Sequence, residues 1–194
     1  MAKLILSSCD FRNEVSAKCI YENLPKPVAQ CRVLYFPNEK ATEAKIKSGV
    51  YEKRLMEFGF SRENICVFDY FSPPLCELLC MDVIYISGGN TFGTMRLLRK
   101  SGADKLILRQ VNDGAVYVGG SAGAHVASAD IAHVAKYDTD TFGLRDHSGL
   151  GLFDGIFICH YSADRQEDYE NLKKAGKYRV IPLRDEDSFV AESI

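Results

Sequence analysis

Seven short runs of the chain are rich in apolar and β-branched residues: Lys3–Ser7, Arg32–Phe36, Asn64–Asp69, Val83–Ser87, Ala115–Val118, Gly155–His160 and Arg179–Leu183. Most are continuously apolar rather than alternating, the pattern of strands covered on both faces of a parallel sheet. Helix-length segments lie between several of them. Ala41–Gly59 sets Ile46, Val50, Leu55, Met56 and Phe58 among charges and stops at a glycine suited to a helix C-terminus. Thr91–Lys100 and Ala103–Val111 are amphipathic, with Gly102 between them and Asn112-Asp113-Gly114 closing the second. This alternation predicts an α/β fold, an open and mostly parallel sheet with helices on both faces. In such sheets ligands bind beyond the carboxyl ends of the strands, so the residues that follow each run carry the functional information.

The fifth run leads into Gly119-Gly120-Ser121-Ala122-Gly123 and then Ala124-His125-Val126. Gly119-x-Ser121-x-Gly123 fits a nucleophile elbow, a tight strand-to-helix turn that exposes a serine hydroxyl at the top of a sheet. Backbone must pass close to backbone there, which glycine permits and larger side chains obstruct. A glycine-rich turn with an incidental serine would have the same composition. The strand before and the helix after favour the nucleophile.

A serine needs a base to attack at neutral pH, and histidine is the usual one. Of four histidines, His160 ends an apolar run and is expected at the same sheet edge as Ser121, whereas His125 is carried away along the helix. His133 and His147 fall in a loop-like region. The acid that orients the imidazole is expected between serine and histidine, at Asp138, with Asp130 and Asp140 as alternatives in the polar loop up to Gly151. Gly88-Gly89-Asn90-Thr91 follows another run and precedes a helix. Its glycine N–H groups, Gly88 or Gly89, are expected to form an oxyanion hole with the N–H of Ala122. Asn90 is assigned to substrate binding, with a helix cap as its other role.

The bulk properties narrow the class. With 194 residues, 46% hydrophobic and 26% charged, the chain is expected to form one domain over residues 1–194. A net charge of −2 gives no general attraction to nucleic acid or anionic membrane. The N-terminal apolar run is too short for a signal peptide and no segment is long enough for a membrane span. Seven cysteines at irregular spacing read as neither a disulfide framework nor a zinc site, so a cytoplasmic location is expected. Cys76 and Cys80, one helical turn apart, read as small packing residues. No metal or organic cofactor is expected, and no nucleotide-binding glycine motif is present.

Ser87-Gly88-Gly89-Asn90-Thr91-Phe92, Gly120-Ser121-Ala122-Gly123-Ala124, and Gly149-Leu150-Gly151-Leu152 followed by Cys159-His160-Tyr161 resemble the dipeptidase E family of serine peptidases, which includes cyanophycinase. The resemblance spans most of the chain from Lys3. It implies a fold like that of class I glutamine amidotransferases, a flavodoxin-like three-layer arrangement, with Ser121 as nucleophile, His160 as base and the oxyanion hole at Gly88, Gly89 and Ala122. It also implies an arginine after the histidine that binds a substrate carboxylate, for which Arg165 is the counterpart. Three departures stand out: Ala132 where some relatives carry glutamate, Cys159 where proline often precedes the histidine, and a short segment after the last run, where an edge strand is expected to be missing.

The sequence therefore reads as a serine hydrolase of short peptides, with a preference for N-terminal aspartate implied by the resemblance and a homodimer as the assembly allowed for. The alternatives are an impaired homologue that binds a small carboxylated ligand, and an esterase with the same triad. An amidotransferase is disfavoured because that chemistry uses a cysteine at the elbow.

Overall fold

The computed structural model describes residues 1–72 and 80–194. Five parallel strands and one antiparallel edge strand form the main sheet. In chain order these are β1 (Lys3–Ser7), β2 (Val33–Phe36), β3 (Ile65–Val67), β4 (Val83–Ile86), β5 (Val116–Gly120) and β8 (Ser188–Glu192), arranged spatially β3-β2-β4-β5-β1-β8. β6 (Ile156–Ile158) and β7 (Val180–Pro182) form a separate parallel pair. All seven runs read from the sequence contain strands: Lys3–Ser7 keeps its bounds, β5 runs on to Gly120, and the others are shortened at one or both ends.

The strands are buried on both sides because their side chains alternate between two cores. Leu4, Leu6, Leu34, Phe36, Ile84, Ile86 and Tyr117 point to one face. They are covered by α4 (Thr91–Ser101), α5 (Ala103–Asn112) and α6 (Ala122–Ala127). Ile5, Val33, Tyr35, Val83, Tyr85, Val116 and Val118 point to the other, under α1 (Glu14–Asn23), α2 (Glu43–Lys47) and α3 (Val50–Glu57). This is the expected three-layer α/β arrangement. Among the described residues, the α-helix outside these two layers, α7 (Gln166–Ala175), buries no residue.

Three local expectations differ from the structure. Ala41–Gly59 is two helices rather than one, because Gly49 adopts a left-handed φ of 74° and breaks the backbone between α2 and α3. The edge strand expected to be missing is present: β8 pairs antiparallel with β1, from Lys3 opposite Glu192 to Ser7 opposite Ser188. Its half-polar sequence lacks the continuous apolar signal of the buried strands, as suits an edge. Cys80 is exposed rather than packed, and Cys76 lies outside the described residues. Among the described residues no helix is long and apolar enough to cross a membrane.

Candidate active site

β1, β4 and β5 are adjacent and parallel, so their carboxyl ends open on one edge of the sheet. β5 ends at Gly120, opposite Ser7 of β1, and the chain turns into α6 through Ser121, whose φ of 49° and ψ of −107° lie outside the ordinary regions. The turn is held on both sides: Ser121 N–H donates to Ser7 O at 2.8 Å, and Ser121 O accepts from Ala124 N–H and His125 N–H. Gly123 is required by close approach. A Cβ there would press into the backbone carbonyl of Ile86 on β4, while Tyr117 Oη donates to Gly123 O at 2.6 Å. The Gly149–Leu152 motif lies under this helix, Leu150 N–H donating to Val126 O at 2.7 Å.

His160 arrives from the second sheet. Two residues beyond β6 it takes a φ of 52°, and its N–H donates to Ser8 Oγ at 2.9 Å. Ser8 Oγ in turn donates to Leu183 O, so one buried hydroxyl after β1 ties together the ends of β6 and β7. The imidazole stands between two partners: Nε2 lies 3.0 Å from Ser121 Oγ and Nδ1 lies 2.6 Å from Asp185 Oδ1. With the carboxylate accepting from Nδ1–H, Nε2 is left to accept from the serine hydroxyl.

Asp185 replaces the acid expected from the sequence. Asp138 Oδ2 accepts from Thr91 N–H at 2.8 Å, at the start of α4. Asp130 accepts from Ala132 N–H, Lys177 and Tyr178, and Asp140 from the N–H groups of Phe142 and Leu144. None of the three reaches His160. The chain order is serine, histidine, acid, because β7 runs parallel to β6 and delivers the following turn beside His160. Arg184-Asp185-Glu186-Asp187 directly follows a run read as a strand, so the strand-end rule that selects His160 would also have selected Asp185.

The turn after β4 lies against the serine. A Cβ on Gly88 would stand 3.3 Å from Ser121 Cβ. Gly88 O accepts from Asn38 Nδ2 at 2.7 Å, and a Cβ on Gly89 would overlap Asn38 and Glu39. Ala122 opens α6, where backbone N–H groups have no intrahelical acceptor. Asn90 is engaged in structure: Oδ1 accepts from Gly93 N–H at 2.9 Å as the helix cap and Nδ2 donates to Thr139 O at 3.0 Å. Its capping role is therefore the observed one.

Arg165, expected to bind a substrate carboxylate, contacts the protein itself, and a second arginine lies at the elbow. Arg165 donates to Cys159 O and stacks its guanidinium 4.0 Å from the Tyr137 ring centre, so it braces the segment behind His160. Arg12, unmarked in the sequence reading, borders the elbow. Its Nη2 would lie 3.0 Å from a Cβ on Gly88. Asp10 holds it, with Nε 2.9 Å from Oδ1 and Nη2 3.4 Å from Oδ2. Asp10 is completely buried beside Gly120 with a φ of 50°; burial pushes its carboxyl above the usual range, and the Arg12 guanidinium opposes that shift.

Three further titratable groups pack around the site. Cys9 is half-buried, and burial followed by the Asp185 carboxylate pushes its thiol up. Cys159 is fully buried, its thiol pushed up to about 12 chiefly by burial. His125 is buried behind His160, its Nδ1 3.1 Å from Thr91 Oγ1 and its Nε2 accepting from Cys159 N–H at 3.4 Å. Burial, reinforced by His133, holds His125 well below the ordinary histidine range.

An open α/β sheet with a strained serine elbow, a histidine on the serine and a carboxylate on the histidine defines the class of serine hydrolases with a strand-end site. Residues 4–192 match the family model for peptidase family S51. The chain belongs to that family, in accord with the resemblance carried by its three motifs. An uncharacterized peptidase, Lmo0363, of Listeria monocytogenes is 33% identical over 112 residues, covering 55% of each chain. Peptidase E of Citrobacter koseri is 27% identical over 108 residues, covering 56% of this chain and 46% of that protein. The chain's matches thus span about half the length of these curated relatives. Across solved structures, a Listeria monocytogenes protein assigned as peptidase E superposes over 99% of this chain and 95% of its own, with a TM-score of 0.74 and 26% identity. A peptidase from an acI-B1 actinobacterium shares the fold, with a TM-score of 0.63 and 18% identity.

Proposed function

We propose that the protein is a serine-type peptidase of short peptides acting through Ser121, His160 and Asp185. The observation that carries this reading is the continuous hydrogen-bonded line from Ser121 Oγ through both imidazole nitrogens to Asp185. Ser121 attacks the scissile carbonyl while His160 Nε2 takes its proton, and Asp185 stabilises the imidazolium that forms. The tetrahedral oxyanion rests on N–H groups of Ala122 and the Gly88-Gly89 turn. His160 then protonates the leaving amine, and water returns through the same base to release the acyl group.

Substrate reading falls to Arg12 rather than Arg165. A guanidinium fixed by a buried carboxylate at the rim of the elbow suits a substrate carboxylate, whether an acidic side chain or the free end of a very short peptide. Six described cysteines are free thiols, which supports a reducing, cytoplasmic setting. The reading in which the site binds without catalysing rests on the uncertain identity of the acid and on Ala132, and the Asp185 carboxylate on His160 favours catalysis over it.

The test is fluorophosphonate labelling of the purified protein beside hydrolysis of dipeptides that begin with aspartate. Labelling and turnover in the wild type, both lost in Ser121→Ala and His160→Ala, are the expected result. Undiminished dipeptide turnover by Ser121→Ala would overturn the proposal, and ester turnover without amide turnover would make the protein an esterase.

A further inference from the structure

Cys9 lies on the far side of the catalytic line from Ser121 and takes no part in the chemistry above. It follows β1, His160 follows β6 and Asp185 follows β7, so three strand ends bring a sulfur, a nitrogen and an oxygen together. One donor atom from each of these side chains lies within 4.8 Å of the other two. The group is reachable from solvent, since the side chains of His160 and Asp185 are 40% and 59% exposed.

We propose that this cluster is an inhibitory zinc site, in which Cys9 Sγ, His160 Nδ1 and an Asp185 carboxylate oxygen bind the ion and shut the peptidase reversibly. The inference rests on His160 acting as the base of Ser121. Zinc takes thiolate, imidazole and carboxylate at roughly 2.0–2.3 Å in a tetrahedron, which sets ligand atoms roughly 3.2–3.8 Å apart. To reach that spacing the 2.6 Å contact between Nδ1 and Asp185 Oδ1 opens, and Cys9 Sγ adjusts from a position in which the three donor atoms already lie within 4.8 Å of one another. A soft sulfur and a nitrogen favour zinc over magnesium or calcium, which prefer all-oxygen shells. Three protein ligands leave a fourth position for water.

The proton inventory explains the inhibition. In the working site the imidazole carries its proton on Nδ1 and accepts at Nε2. Coordination takes the Nδ1 lone pair and moves that proton to Nε2, while the Cys9 thiol proton goes to solvent. Two ligand charges of −1 balance the ion. Nε2–H can then only donate to Ser121 Oγ, and the serine has no base. Removal of the metal returns the proton to Nδ1 and restores the site.

The experiment uses the reduced, metal-stripped full chain and reads binding apart from activity. Titration with Co²⁺ is expected to produce a thiolate-to-cobalt charge-transfer band that Zn²⁺ bleaches and that Cys9→Ser abolishes, with circular dichroism confirming that the variant is folded. Asp185→Asn, read by the same band, is expected to weaken binding at least about tenfold and decides the matter if Cys9→Ser does not fold. Zn²⁺ is expected to suppress fluorophosphonate labelling of the wild type, chelator to restore it, and Cys9→Ser to need at least about tenfold more Zn²⁺ for the same suppression. A missing cobalt band, or a band or zinc sensitivity indifferent to Cys9→Ser, would overturn the proposal. A protein that shows the band but neither labels nor hydrolyses peptides would retain the metal site and refute the peptidase reading.

Discussion

Asp185 and Asp138 carry the same carboxylate and differ in what it touches. Asp185 accepts from His160 Nδ1, whereas Asp138 accepts from a backbone N–H at the head of α4. Asp185→Asn is therefore expected to lower kcat/KM about 10⁴-fold, because the amide favours the wrong imidazole tautomer. Asp138→Ala is expected to cost about 1 kcal/mol of stability while altering kcat/KM little. Urea denaturation beside steady-state kinetics separates the two. Arg12→Gln is expected to lower kcat/KM for acidic dipeptides about 10–100-fold relative to neutral ones, the value of one or two charge-assisted hydrogen bonds. Equal losses on both substrates would assign Arg12 to holding the elbow instead. Ser121 and His160 were legible residue by residue as neighbours, since each follows an apolar strand that opens on the same edge. Arg12 and Cys9 also follow a run, but nothing in the local sequence says that the turn after β1 meets a serine more than a hundred residues away.

At the scale of elements, the elbow depends on how closely α6 approaches β4. Gly123 faces Ile86 O, and a backbone atom cannot swing away as a flexible side chain can. Gly123→Ala is expected to destabilise the protein by about 3 kcal/mol or more and to abolish labelling of Ser121, as measured by urea denaturation and fluorophosphonate reaction. Strands with continuous apolar runs were readable because burial on two faces leaves that composition. The half-polar edge strand β8 and the wholly surface helix α7 leave no such mark. The break between α2 and α3 hinges on Gly49, whose position inside an amphipathic pattern reads equally well as an interior glycine.

Across the molecule, a buried histidine and a half-buried one link α6, the loop after it and β6. His125 bridges Thr91 at the head of α4 to Cys159, and His133 Nε2–H donates to Phe157 O at 2.7 Å. Burial lowers both below the ordinary 6.5, so the folded protein holds them neutral where the unfolded chain protonates them. Their stabilising contribution is complete above pH 6.5 and is lost as pH falls below it. The slope is at most about 1.4 kcal/mol per pH unit for each histidine. Urea midpoints at pH 7.5, 6.0 and 5.0 should fall in that order, and a flat series would show that the folded protein accommodates both charges.

The sequence by itself determined the layered α/β architecture, the strained serine elbow and the histidine that lies beside it. Each is written in a contiguous stretch, as strand burial, as glycine at a forced close approach, or as a polar residue at the end of an apolar run. Tertiary structure decided which of the strand-end acids meets the histidine, and which arginine and which sulfur lie beside it. Those assignments depend on β7 pairing with β6 and on Ser8 tying both strand ends to β1. Pairing between strands is a long-range choice, and no local pattern of residues specifies which turn will meet which.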